Sequence, residues 1–458
     1  MLLGSIFERF IAHSPISVMA RGLLEHALLP AELDALFTRT AQRQYTRDLL
    51  FSTTVDLMSL VVTGVRPTIH AGFQALQESI PVSVTSVYNK LDGIEPILSA
   101  EIVRHTTRKL EPLIRQLDGQ RPPLLPGYRV KILDGNHLAA TEHRLKELRT
   151  TTAGPLPGLC LVVLDPSLML AIDVFPCEDG HDQERSLLTA VADTVQAGDV
   201  WIDDRNFCTL GFLSAIEARR AFFVTRQHKG LPWEGITPFV LAGKVEGADV
   251  WEQRIGLVQG DGTIQHCRRL KLVLDKPTRD GDRELFVLSN LPGEDADALC
   301  VARLYRNRWT IEIMFRELAE LFENEIDTLA YPKAALFGFC TGLAAYNVMS
   351  AVKAALRSVH GAEKIDAELS GYYVADELSG TYRGMMIAIP AEEWLVFRSL
   401  TLEEWSVVLR ALASRVCLDK FRKHPRGVKK PRPKRQSHKR KPHVSTAKLL
   451  AERGSKRR

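Results

Sequence analysis

Between Tyr128 and Thr225 short apolar runs at strand spacing alternate with stretches at helical spacing, and this alternation restricts the fold more than any other feature. Tyr128–Leu133 alternates loosely and ends in Asp134-Gly135-Asn136. Leu159–Leu164 and Met169–Val174 flank Asp165-Pro166-Ser167 and read as a hairpin. Arg185–Val195 has helical spacing, Asp199–Ile202 is a further strand ending in Asp203-Asp204-Arg205-Asn206-Phe207, Leu210–Arg219 is helical, and Ala221–Thr225 is a strand. Three strands, helix, strand, helix and strand describe an α/β layered core. Pro122, Pro123 and Pro126 mark its N-terminal boundary.

Two acids fall at strand ends in this core. Asp134 closes the first strand and Asp204 closes the strand after the first helix. Groups at strand ends of an open sheet collect at one edge, where ligands bind. A third acid arrives on the stretch Leu304-Tyr305-Arg306-Asn307-Arg308-Trp309-Thr310-Ile311-Glu312. Its apolar residues Val301, Leu304, Ile311, Phe315, Leu318 and Phe322 predict one continuous helix, with Asp295 or Asp297 able to cap it. At about 100° per residue, Tyr305, Arg308 and Glu312 share one edge within roughly 60°. Three carboxylates meeting at one place repel unless a cation lies between them. Carboxylate oxygens suit Mg²⁺ or Mn²⁺, and two such ions serve phosphodiester displacement. Singly, Asp134-Gly135 reads as a turn and Asp203-Asp204 as a helix cap; their order with the helical Glu312 points to phosphoryl transfer on a polynucleotide.

The rest of the chain frames this core. Residues 1–120 read as helical, and Ser79–Leu91 resembles the second half of a helix-turn-helix, with Val84, Val87 and Leu91 inward and Ser83, Thr85, Ser86, Asn89 and Lys90 facing DNA. Residues 229–294 are β-rich and punctuated by glycine, and 361–419 hold short helices. Ala334–Leu356 is apolar; its membrane-like part, 334–352, is interrupted by Gly338, Thr341, Gly342, Asn347 and Ser350, which fits a buried helix rather than a membrane span. The first 15 residues lack the pattern of a signal peptide, with Glu8 and Arg9 inside their apolar run. Seven cysteines without a Cys-x-x-Cys pair argue against a zinc site or disulfide framework and fit a reducing cytoplasm. From Lys420 to Arg458 there are 17 Lys and Arg against the single acid Glu452, a net +16, so the remaining chain carries −11 of the overall +5. Such a block reads as a disordered arm for a polyanion, and a solubilising tail is the plainer alternative.

Asp134-Gly135-Asn136, Asp204-Arg205-Asn206-Phe207 and Tyr305-x-x-Arg308-x-x-x-Glu312 together resemble the DDE transposases of the insertion-sequence-four family. The likeness runs over about 125–330. It implies a ribonuclease H-like catalytic core (125–228 and 295–360) interrupted by the β-rich insertion (229–294), between a helical N-terminal DNA-binding domain (1–120) and a helical C-terminal region (361–419). It also implies Asp134, Asp204 and Glu312 as catalytic metal ligands for two Mg²⁺ or Mn²⁺ ions. Tyr305 and Arg308 would hold DNA phosphates, beside Arg205. Where the family has a lysine seven residues after the glutamate this chain has Ala319, and Arg316 is the candidate substitute. Trp251, then Trp233, are candidates to stack on a displaced base, and His181, Asp182, Glu184 and Arg185 form a polar cluster that could support the ligands.

These expectations describe an enzyme that binds inverted-repeat ends as a homodimer on double-stranded DNA in the nucleoid-containing cytoplasm, cuts the phosphodiester and joins the 3′-OH to target DNA. A decayed DNA-binding protein and a general metal-dependent nuclease of the same fold are the rival readings.

Overall fold

Strand geometry begins where the proline patch ends. In the computed structural model, which describes residues 3–46, 48–138, 154–278, 281–322, 329, 331–424 and 443–455, β1 (Arg129–His137) is an inner strand of a mixed ten-stranded sheet. It pairs antiparallel with β3 (Leu159–Asp165), which pairs antiparallel with β4 (Leu170–Cys177), the hairpin expected from the sequence. A short β2 (Gly154–Leu156) precedes β3 and lies outside this sheet. On its other side β1 runs parallel to β5 (Asp199–Asp203), and β5 parallel to β6 (Phe222–Arg226).

Each of these inner strands is covered on both faces, which explains why β3 and β5 read as unbroken apolar runs. Val130, Ile132, Val200, Ile202 and Val224 face a large core shared with the helical parts of the chain. Leu133, Trp201 and Phe223 alternate to the other face and bury Val191, Phe212 and Ile216 of the short helices Leu188–Ala192 and Leu210–Ala218.

The helical residues of the N-terminal and C-terminal regions surround one long helix, Pro332–His360. It is long and apolar enough to cross a membrane, yet its apolar window is wholly buried inside the protein. The polar residues that interrupt the apolar run do specific jobs. Asn347 accepts from Ala171 N (2.8 Å) and donates to Ala171 O (2.9 Å), pinning the helix to β4. Ser350 donates to Met169 O (2.7 Å), and Arg357 to Gly119 O (3.1 Å). The buried helix expected over this stretch is therefore also the peg that fixes the sheet against the helical layer.

Three observations on the elements go beyond or depart from the sequence reading. First, the β-rich insertion, whose relation to the core sheet the sequence leaves open, extends that sheet. β7 (Trp233–Gly235), β8 (Val240–Val245), β9 (Ala248–Val258), β10 (Ile264–Leu274) and β11 (Glu284–Ser289) continue the same sheet, because β11 pairs with β6.

Second, the helix expected over 301–322 is two helices, Ala298–Arg306 and Trp309–Leu321. Asp297 caps the first one, donated to by Cys300 N. The break follows from Asn307, whose side-chain amide donates to Arg303 O (2.9 Å), while Asn307 N and Arg308 N bond three residues back instead of four.

Third, the basic arm is not unstructured to its end. β12 (His443–Ser445) pairs parallel with β2, and Thr446–Ser455 is helical. Thr446 is fully buried and Lys448 pairs with Asp179 at 3.0 Å, interactions that net charge does not reveal. Residues 425–442, which hold most of the arm's charge, lie outside the described residues.

In the N-terminal region Val84–Gly93 is a helix capped by Ser83, with Val87 and Leu91 buried and Thr85, Ser86 and Asn89 exposed. Lys90 differs from expectation: its ammonium lies 4.4 Å from the Phe37 ring centroid and donates to Tyr45 O at 3.4 Å. It braces the helix packing rather than standing free.

Candidate active site at the sheet edge

The β1–β5 register sets the geometry. Ile132 pairs with Ile202, so two residues further along both chains Asp134 comes level with Asp204 on neighbouring strands about 4.8 Å apart. By alternation both side chains take the face of Ile132 and Ile202, the face on which the helix pair Ala298–Arg306 and Trp309–Leu321 packs. The third acid reaches them through Arg308. One guanidinium nitrogen lies 3.2 Å from Asp134 Oδ2 and another 2.6 Å from Glu312 Oε1. Tyr305 and Asp204, with the two paired acids, hold the Arg308 guanidinium in its charged form against its burial. Arg308 is only 11% exposed and Glu312 51% exposed; the arginine is the buried hub and the glutamate the solvent-facing member.

The helix break moves neither residue away. Arg308 sits in the turn just before the second helix, and Glu312 in that helix's first turn, four residues on. Tyr305, at the end of the first helix, is buried, and burial with the nearby Asp204 raises its phenol well above the ordinary range.

Charge in this edge is frustrated. Burial pushes the Asp134 carboxyl up to about 7, with Glu312 and Glu184 adding to the rise, against the pull of Arg308 and the Gly135 amide. Asp204 Oδ1 is buried without a hydrogen-bond partner. Asp203 alternates to the opposite face beside Thr225, fully buried, with both carboxyl oxygens unpartnered; burial raises it far above the usual carboxylate range. It belongs to the floor under the edge.

An orphaned carboxylate oxygen and a buried aspartate crowded by other acids are donors that fit a hard, oxygen-preferring cation such as Mg²⁺ or Mn²⁺. The acids do not form a ready-made cluster: among the described residues no three His, Cys, Asp or Glu side chains converge as a metal site. The Arg308 guanidinium lies between Asp134 and Glu312 instead.

The other predicted residues divide. Arg316 is exposed one turn beyond Glu312 and lines a cavity of about 720 Å³ with Thr310, Ile313, Tyr372 and Lys423. Arg205 is exposed directly after Asp204. Trp251 is not brought to the acids: β9 is four strands from β5, about 19 Å across the sheet, and its ring lies 5.4 Å from the Lys271 ammonium. Trp233 is the more open of the two, 38% exposed on β7, and covers Arg269. In contrast to the buried Tyr305, Trp309, which follows Arg308 and precedes Glu312 by three residues, is 56% exposed. Sequence reasoning misses it because it sits off the apolar stripe, and a large aromatic set among charged residues is the available signal. Of the polar cluster at 181–185, Glu184 and Arg185 reach the edge. Glu184 accepts from the Asn206 amide, and Arg185 Nε donates to Asn206 O at 2.6 Å. Asp182 turns to Ser186, which donates to it at 3.0 Å.

A mixed α/β sheet with acids from two adjacent strand ends and one helix defines the class of this site. Residues 125–348 match the family model of the transposase DDE domain. The chain is also 27% identical over 136 residues to y4zB, a Sinorhizobium fredii protein named as a transposase, covering 27% of this chain and 33% of that one. It thus spans about a third of the length of that relative. The cryo-EM structure of the piggyBac transposase synaptic complex with hairpin DNA matches over 82% of each chain at 10% identity and a TM-score of 0.38.

Proposed function

We propose that the chain is a DNA transposase of the insertion-sequence-four type, with a ribonuclease H-like core, that cuts at its element's inverted-repeat ends and joins the freed 3′-OH to target DNA. The observation that carries this reading is Arg308 held between Asp134 (3.2 Å) and Glu312 (2.6 Å), beside the strand end that Asp204 follows, inside the segment that matches a transposase domain. Antiparallel β4-β3-β1 followed by parallel β5 and β6 supports the core type.

In this reading Asp134, Asp204 and Glu312 would hold two Mg²⁺ or Mn²⁺ ions, which when bound supply an activated attacking oxygen and a stabilised leaving oxygen. Arg308 then gives up its two carboxylate partners and turns its planar donor fork to a DNA phosphate, a match of geometry as well as charge. Tyr305, buried behind it, fixes the guanidinium's direction. Arg205 and Arg316 flank the edge as phosphate contacts, and Arg316 takes the place left by Ala319. Thr85, Ser86 and Asn89 present a polar helix face to the duplex. Joining two ends calls for two copies on the DNA.

The test is cleavage and strand joining on DNA carrying the element's ends with Mg²⁺. Asp134→Ala, Asp204→Ala and Glu312→Gln should each lower cleavage at least about 100-fold. Variants as active as the parent would remove the assignment, and cleavage of random duplex with no joining would favour a general nuclease.

A further inference from the structure

Gly135 lies inside β1, opposite Leu161, rather than in a turn. A Cβ built there would stand 1.9 Å from Glu184 Oε1 and 2.5 Å from its carboxyl carbon. The Glu184 carboxylate therefore rests against the bare α-carbon next to Asp134. Side chains alternate along a strand, so Glu184 approaches from the face opposite the Asp134 side chain and beneath the pocket that Arg308 fills. Its other oxygen accepts from the Asn206 amide, and Arg185 holds the same residue by its carbonyl. Asn206 is two residues past Asp204, in the single turn Arg205–Phe207 that sets that acid's direction. His137 Nδ1 stands 4.0 Å from Glu184 Oε1, and the Glu184 side chain is 15% exposed.

We infer that Glu184 is a positioning residue: it clamps the turn after Asp204 against Gly135 and so fixes the spacing of Asp134 and Asp204. The link to metal binding rests on the reading of these acids as ligands. The clamp itself is a property of the free protein. Glutamine at 184 still presents an oxygen to Asn206, whereas alanine presents nothing, and a methyl at 135 evicts the carboxylate from its seat. A group that orients ligands in this way changes metal affinity about 10- to 100-fold when removed.

The experiment uses the full-length chain without DNA. Amide hydrogen exchange over 204–208 and Mn²⁺ binding by calorimetry are measured for the parent, Glu184→Gln, Glu184→Ala, Asn206→Ala and Gly135→Ala, with thermal unfolding to confirm folding. The expected result is faster exchange and at least 10-fold weaker Mn²⁺ binding in the alanine variants, with Glu184→Gln within about threefold of the parent. If Glu184→Ala does not fold, Asn206→Ala removes the same bond from the other side. Glutamine failing as badly as alanine would make Glu184 a ligand and overturn the positioning role. Unchanged exchange and unchanged binding in Asn206→Ala would overturn the clamp. A parent that binds no Mn²⁺ while the alanine variants still exchange faster would uphold the clamp and sink the metal reading.

Discussion

Arg308 holds two acids that would otherwise face each other. Glu312 is half exposed, so its ion pair contributes little. Asp134 is more buried, and stripping its cation leaves a carboxylate that burial already disfavours. Arg308→Ala should therefore lower the stability of the metal-free protein by about 1–3 kcal/mol. Millimolar Mg²⁺ should restore more stability to this variant than to the parent in urea unfolding. Equal responses to Mg²⁺ in the two proteins would show that no cation takes over the arginine's place. Arg308→Lys keeps the charge but lacks the fork that spans both carboxylates, and should recover only part of the loss. The acids were readable in the sequence because strand ends and a helical edge follow from local periodicity. The reason for Gly135 was not: the side chain that needs the bare α-carbon belongs to Glu184, an approach no local pattern encodes.

Elements show the same division between local and distant causes. The strands β1, β3, β4, β5 and β6 and the buried helix Pro332–His360 were legible because apolar spacing alone defines them. The break at Asn307 was not, since it turns on one side-chain amide bonding Arg303 O. Asn347 illustrates what binds the elements together. It satisfies both backbone groups of Ala171, and its amide also reaches Thr106 and Thr107 on the helix Pro96–Gln116 at 3.3 and 3.4 Å. Replacing it by leucine strands the buried Ala171 N–H, while Ala171 O keeps the Thr107 hydroxyl at 3.0 Å, and the expected loss is about 1–3 kcal/mol in chemical denaturation. A loss below about 0.5 kcal/mol would mean that the helix and β4 are held by apolar packing alone.

At the scale of the whole molecule, pH acts on the helical layer through His105. It is buried, and burial lowers its pKa to about 4, helped by Lys109 and Arg108 and by Arg39, despite Glu32 at 3.4 Å. The unfolded chain takes up this proton near 6.5 and the folded chain does not, so the contribution of His105 to stability should fall as pH drops from 6.5 toward 4, by up to about 1.4 kcal/mol per unit, against the opposite contribution of Asp134, whose raised pKa favours the folded state at lower pH. His105→Gln should flatten that slope in thermal unfolding between pH 7 and 5. On the proposed reading the basic arm acts on DNA affinity instead. Exchanging the lysines and arginines of 426–441 for glutamine should make affinity less sensitive to salt, by roughly one unit of log–log slope for each phosphate no longer neutralised. The docking of β12 on β2 was not legible beforehand, because three residues of strand in a basic tail carry no periodic signal.

The run of strands beyond β6 has a practical consequence for anyone trimming this protein. A fragment ending before residue 229 would strip β11 from Val224, Thr225 and Arg226, baring a parallel sheet's flank to solvent. An unguarded flank of that kind recruits other chains. The excised fragment should precipitate rather than stay in solution.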